Sequence, residues 1–351
     1  MELKMNNCER LDVNPKWPKI KTIEGAFIWS DKDESFYLSL VGEYIRREGI
    51  IDGVNVTEYN SEILGYFNNE KSLIRALRKE PWLNDLAEWN LYYHVGLKQD
   101  FFWHYKFYTL PDRKIDLKSY SFQRAANMLA VTSILGWKEA VIHQGYMTIA
   151  ALNRGYQLEI EYEEKHRRAQ AFILRLFCDW MGYVSHQWPD YAYDELIYEN
   201  LLANWRTPNP EDLVPCLLAA CDRHTWQTGR ESSKNFYDFS TPAYMRVPIE
   251  ILFLFRLREW EDLTNPTLDH PLMAAPFDKL QPEQPVPPLD DLMQAVLKRA
   301  REDWPHYDDV LSLEELKKPI DQVTRYDMPV KSANASDNKS TKGLFAKLFG
   351  K

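Results

Sequence analysis

Apolar residues recur at helical spacing along most of this chain, and Gly or Pro punctuates the runs. Phe36, Leu40, Tyr44 and Ile45 begin the pattern after an extended lead-in of about thirty residues. Residues 61–79 read as a second helix. Pro81, at a favoured first-turn position, opens a long one through Trp82, Leu86, Trp89, Tyr93 and Leu97, which Pro111 stops. The centre is clearest. Helices are predicted over 120–135, ended by Gly136-Trp137, and over 138–153, ended by Gly155. A third covers 159–181, with Ala169, Phe172, Ile173, Leu176, Phe177 and Trp180 on one stripe; 190–205 and 210–226 follow.

Short Gly- or Pro-marked connections between helices of this length are what antiparallel helical hairpins require. The expected fold class is therefore all-α, an irregular array of stacked antiparallel helical hairpins. There is room for a few short strands near the N-terminus, where 54–56 read as extended. No repeat period recurs. Residues 228–244 read as a long loop, 246–260 as an apolar helix and 289–303 as the last packed helix. Between the last two, 265–288 holds seven prolines and reads as a strap, with Leu268, Leu272, Met273 and Phe277 available to bury. The expected division is an N-terminal helical region 1–115, a C-terminal helical domain 116–326 and a disordered basic tail 327–351.

Composition sharpens this. Only 13 Gly stand among 351 residues, against 12 Trp, 20 Tyr and 16 Phe. Scarce glycine argues against phosphate-cradling loops and tight hairpins. Tyr and Trp combine apolar area with a polar handle, which suits thick helical cores and protein interfaces. The net charge of −9 is uneven: 331–351 carry +4, leaving −13 on the rest. Such a body suits a basic partner protein and disfavours nucleic acid, whose backbone is held largely by Lys and Arg. No apolar run is long enough to span a membrane, and no secretory h-region opens the chain. The four cysteines show neither metal nor disulfide spacing, so a reduced, cytoplasmic protein is expected, with Cys178 and Cys216 as small core residues.

Candidate chemistry is sparse. Glu163 and His166 form a Glu-x-x-His pair, but no second copy exists to complete a carboxylate-bridged metal site. Its neighbours Lys165, Arg167 and Arg168 suit a salt-bridged helix face. His143, His186, His224 and His270 lack metal-ligand spacing, and Asp222 and His224, two apart on a helix, diverge. Acyl-transfer, zinc-protease, P-loop and dinucleotide signatures are absent from the sequence. No catalytic residue, cofactor or metal is expected. Glu159, Glu161, Glu163 and Glu164 suit a helix start. The segment Asp190, Tyr191, Asp194, Glu195, Tyr198 and Glu199 mixes carboxylates with tyrosines; it reads either as an amphipathic helix start with its tyrosines packed inward or as an exposed docking face for a basic protein, and the partner contacts are placed there. Tyr237, Asp238 and Phe239, in the polar loop, are the second candidate. Leu344, Phe345, Leu348 and Phe349 make a small amphipathic block after a polar spacer, expected to be dispensable for folding.

Two stretches resemble helical bacterial immunity proteins. One is Ser-Phe-Gln-Arg-Ala-Ala-Asn-Met-Leu-Ala from Ser121, with Leu-Gly-Trp at 135–137. The other is Phe-Ser-Thr-Pro from Phe239, an apolar helix to Trp260, then Asp-His-Pro from Asp269. The resemblance spans roughly 119–304 and is to immunity proteins paired with polymorphic nuclease toxins, including type VI secretion effectors. It implies a cytosolic, non-catalytic inhibitor that occupies a toxin's active site or substrate groove. A helical scaffold or adaptor, and an all-α enzyme with an unrecognised metal or acid–base site, are the alternatives.

Overall fold

A computed structural model describes residues 8–47, 60–109, 121–155, 167–183, 188–232 and 234–326. Among them there is no strand; one isolated bridge joins Thr228 and Phe239. The fold is all-α. In chain order the helices are α1 (Ile20–Ala26), α2 (Asp31–Arg46), α3 (Asn60–Leu77), α4 (Leu83–Thr109), α5 (Phe122–Ile134), α6 (Lys138–Asn153) and α7 (Arg168–Trp180). Then come α8 (Leu196–Asn204), α9 (Val214–Trp226), α10 (Ile249–Trp260), α11 (Asp291–Asp303), and the short α12 (Tyr307–Val310) and α13 (Leu313–Leu316). The expected Val54–Val56 extension, the Glu163/His166 pair, His186 and the tail 327–351 lie outside the described residues.

Local chemistry sets these boundaries. Ser30 and Asp33 form a capping box at α2, and Ser121 and Asp290 accept backbone N–H groups at the starts of α5 and α11. Gly136 (φ +80°) and Gly155 (φ +64°) end α5 and α6 in the left-handed region, which glycine enters without steric cost. The lead-in is not wholly extended, since α1 interrupts it.

α3 and α4 pack closely and antiparallel through glycine. A Cβ on Gly65 would sit 2.2 Å from the backbone of Tyr93, and one on Gly96 would sit 2.1 Å from that of Glu62. α5 is central: it packs on α6, α7 and α10, and every residue from Ala125 to Ile134 is buried. A helix buried all round needs apolar or internally bonded side chains on every face. Accordingly Thr132 bonds Gln144 and Asn90, and Gln170 donates to Asn127.

One core cluster takes residues from Ile23 through Val323, and a smaller one joins Val41, Tyr44, Leu64, Val95, Met293 and Val296. Both draw on chain either side of residue 115, and α11 packs on α2 and α4. The proline-rich strap is held down by Leu268, Leu272, Met273 and Phe277, all buried. Its backbone is pinned as well: Gln284 N–H donates to the Leu135 carbonyl at 2.8 Å, and Trp137 Nε1 to that of Gln284 at 2.8 Å.

The cysteine expectation is corrected. Cys8 and Cys216 are joined by a disulfide across 208 residues, while Cys178 and Cys221 are free and buried. The bond heads an N-terminal strap laid along α9. Arg10 pairs with Asp222, Asn14 bonds Thr225 through both its backbone N–H and its side chain, and Trp226 Nε1 donates to the Asp12 carbonyl at 2.7 Å. No sequence spacing announces a pairing over that distance, because only the fold brings the partners together. Among the described residues no helix is long and apolar enough to cross a membrane.

Candidate partner-binding face

The segment expected to be one exposed acidic helix is two elements with most of its charge already paired. Asp190–Tyr193 form a 3-10 turn after Pro189, and α8 starts only at Leu196. The break is fixed by Arg175, which donates to the Ala192 carbonyl, pairs with Glu199 through both carboxylate oxygens and lies over the Tyr193 ring at 4.3 Å. Asp194 meets Arg168 at 3.3 Å, and Glu195 pairs with Arg223.

Four expected contact residues are therefore corrected. Tyr191 and Tyr198 are buried, Tyr198 stacking on Phe172 with ring centres 4.6 Å apart. Phe239 is buried and stacks on the His224 ring at 3.7 Å. Asp238 is fully buried: it takes Arg223 at 2.8 Å and caps α7 by accepting from the N–H groups of Arg168 (3.1 Å) and Ala169 (3.3 Å). A carboxylate suits that helix N-terminus. Tyr237 is half-buried, and its carbonyl accepts from Arg167. Burial opposes the charge of Arg223, but Tyr198, Asp238 and Glu195 together hold its pKa above the ordinary arginine value. Burial pushes the Tyr198 hydroxyl well above the usual tyrosine range. These groups are a structural network: a buried charge is tolerated when paired and hydrogen-bonded.

The adjacent end of α9 carries two acid–histidine pairs that sequence spacing does not reveal. Asp222 faces His270 Nε2 at 3.1 Å as well as Arg10, while His224 faces Glu250 at 2.8 Å and the Tyr244 carbonyl at 3.0 Å. Burial lowers the pKa of His270 despite Asp222. Both pairs are buried, and neither lines the two cavities described below. Elsewhere His143 Nε2 meets the Leu311 carbonyl at 2.7 Å, and burial takes that imidazole down to about 4. Among the described residues no group of three or more His, Cys, Asp or Glu is placed to hold a metal ion.

What stays exposed on this side is small and mixed. Leu196 is 73% exposed and Tyr193 47%, with Asp190 and Asp194 also at the surface. Tyr193 also edges a cavity of about 290 Å³ shared with Arg175, Cys178, Asp179, Gly182, Tyr183, Trp188 and Leu202. Burial raises the Cys178 thiol to about 12, so it is a thiol and not a nucleophilic thiolate at neutral pH. Asp179 is engaged by Arg206 and accepts from Trp205 Nε1 at 2.7 Å. The surface here presents one leucine, one tyrosine and the carboxylates of Asp190 and Asp194, the latter paired with Arg168. A second cavity, of about 350 Å³, lies between α4 and the end of the proline-rich strap, lined in part by Glu88, Trp89, Tyr92 and Asp290.

Known protein families offer no match to this chain, and neither do the curated proteins or the solved structures.

Proposed function

We propose that this protein is a non-catalytic, stoichiometric inhibitor of the immunity type, which binds a toxin bearing a basic surface and covers its active site. The observation that carries the reading is the exposed pair Tyr193 and Leu196, flanked by Asp190 and Asp194, on a body of strongly negative charge. Exposed apolar side chains ringed by carboxylates suit a protein partner, and the long-range field steers a basic one while disfavouring nucleic acid. A nuclease, whose groove is built to meet phosphates, is the partner class this charge fits best. Glu195, Glu199 and Asp238 serve the inhibitor from inside, holding α7, α8 and α9 in place through Arg175 and Arg223.

The test is co-expression with each toxin domain encoded beside this chain in its own genome. Growth should be rescued, and a 1:1 complex should form whose association slows as salt rises, since screening acts beyond about 8 Å at physiological ionic strength. Leu196→Asp together with Tyr193→Ala should weaken protection while the thermal midpoint holds. Failure to protect against every such toxin would overturn the reading.

A further inference from the structure

We infer that the groove between α4 and the strap is a binding site for a cationic side chain, an arginine presented by a basic polypeptide partner. Three observations converge on it.

The first is its chemistry. Trp89 and Tyr92 stand one turn apart on α4 with ring centres 4.8 Å apart, facing Pro287 and Pro288 on the strap. Glu88 and Asp290 supply carboxylates, and no Lys or Arg lines the groove. Aromatic faces with nearby carboxylates hold a guanidinium by cation–π attraction and ion pairing together. The volume, about 350 Å³, is that of a side-chain or small-ligand pocket.

The second is a contrast within the molecule. Four other rings, three of them partly exposed and that of Trp205 buried, already carry a cation of the chain's own. Arg206 lies over Trp205 at 4.0 Å, Arg246 over Trp17 at 3.7 Å, Arg175 over Tyr193 at 4.3 Å and Lys138 over Trp180 at 5.7 Å. Among the described residues none lies over Trp89 or Tyr92, and Glu88 pairs with no described Lys or Arg. The groove has the walls of those internal sites without their occupant.

The third is rigidity. Tyr92 donates its hydroxyl to Asp290, whose other oxygen accepts from Met293 N–H at 2.8 Å in capping α11. Burial and that bond raise the Tyr92 hydroxyl above the usual tyrosine range, so it remains a donor at neutral pH. The opposite wall is two prolines on a strap pinned to Leu135 and Trp137. A preformed groove loses little entropy on binding. The site follows from its own geometry. It rests on the proposed function only for the statement that a toxin supplies the arginine.

The probe is the blocked peptide acetyl-Gly-Arg-Gly-amide, titrated into the full-length protein and followed by the Trp89 indole N–H resonance, assigned with Trp89→Phe. The control replaces arginine by citrulline, neutral and nearly isosteric. The arginine peptide should bind at least about tenfold more tightly, and Glu88→Gln should weaken it about fivefold without moving the thermal midpoint. Equal binding of the two peptides, or binding unaffected by Glu88→Gln, would overturn the site. So would a tenfold gain in peptide affinity on deleting 331–351, which would make the chain's own lysines the occupant. Protection by a Glu88→Gln, Trp89→Phe variant that no longer binds the peptide would leave the inhibitor reading standing and remove this groove from its interface. Peptide binding by a chain that protects against no toxin would do the reverse.

Discussion

The α7–α9 junction and the α4–strap groove both bring carboxylates next to aromatic rings, yet they are built to opposite ends. At the junction four acids have their arginines, Glu195 and Asp238 on Arg223, Glu199 on Arg175 and Asp194 on Arg168, and only Asp190, Tyr193 and Leu196 stay open at its rim. In the groove Glu88 has no described cation, and the rings of Trp89 and Tyr92 are covered by none. Acidic, tyrosine-rich sequence therefore does not by itself mark a docking surface. What matters is whether the fold supplies the counter-charge from within. A satisfied network adds rigidity and offers little to a partner, whereas an open one keeps its charge for binding.

The sharpest way to break the comparison is Asp238→Ala. It leaves Arg223 buried with one of its two carboxylates and uncaps α7. Removing one partner of a buried pair costs about 3–5 kcal/mol. Urea unfolding should show a loss of that order, with Glu88→Gln measured alongside as the neutral reference. An effect below about 1 kcal/mol would mean that the junction is not the structural network described.

The second prediction concerns a buried acid with no cation among the described residues. Glu70, on α3, is buried and among the described residues accepts only from Ala243 N–H, at 3.1 Å, and burial raises its pKa to about 8. The folded state holds this proton more tightly than the unfolded chain. Its contribution is therefore fully present below the unfolded value near 4.5 and is lost as pH rises through about 8. Glu70→Gln keeps the acceptor and removes the titration. Relative to the parent, it should change little at pH 4 and gain on the order of a few kcal/mol by pH 9, because each tenfold difference in proton affinity between the two states is worth about 1.4 kcal/mol. A pH-independent difference between the two proteins would rule this out.

Much of the fold was legible in local pattern and little of the site was. α6 runs over Lys138–Asn153 as its Gly stops imply, because positive-φ glycines act within one turn of chain. The strap from 265 to 288 was legible because its few apolar residues had nowhere to go but inward. Helical periodicity says which face a residue is on, not what stands opposite. Arg223 on α9 meets Asp238 in a loop and Glu195 just before α8, and Arg10 meets Asp222 from 212 residues away. Thus Tyr191 and Tyr198 read as anchors when they are core, and Cys8 and Cys216 read as unpaired. Glu88, Trp89 and Tyr92 were visible only as a turn of α4, since the wall that makes them a groove comes from Pro287 and Pro288, nearly 200 residues on.

The smallest expected effect on stability is at the two surfaces left open. Glu88 and Leu196 are both exposed, Leu196 by 73%, and among the described residues neither side chain has a hydrogen-bond partner whose loss would leave a buried group unsatisfied. Surface substitutions of this kind stay within about 0.5 kcal/mol. Glu88→Gln and Leu196→Asp should therefore match the parent in urea midpoint, singly and combined, and should be additive because they sit on separate elements, α4 and the start of α8. Binding should separate them. Glu88→Gln should act on capture of the arginine peptide, Leu196→Asp on the toxin complex without touching the peptide. A stability loss above about 1 kcal/mol from either would show that the supposedly open surface is part of the closed structure, and the distinction between the two regions would fall with it.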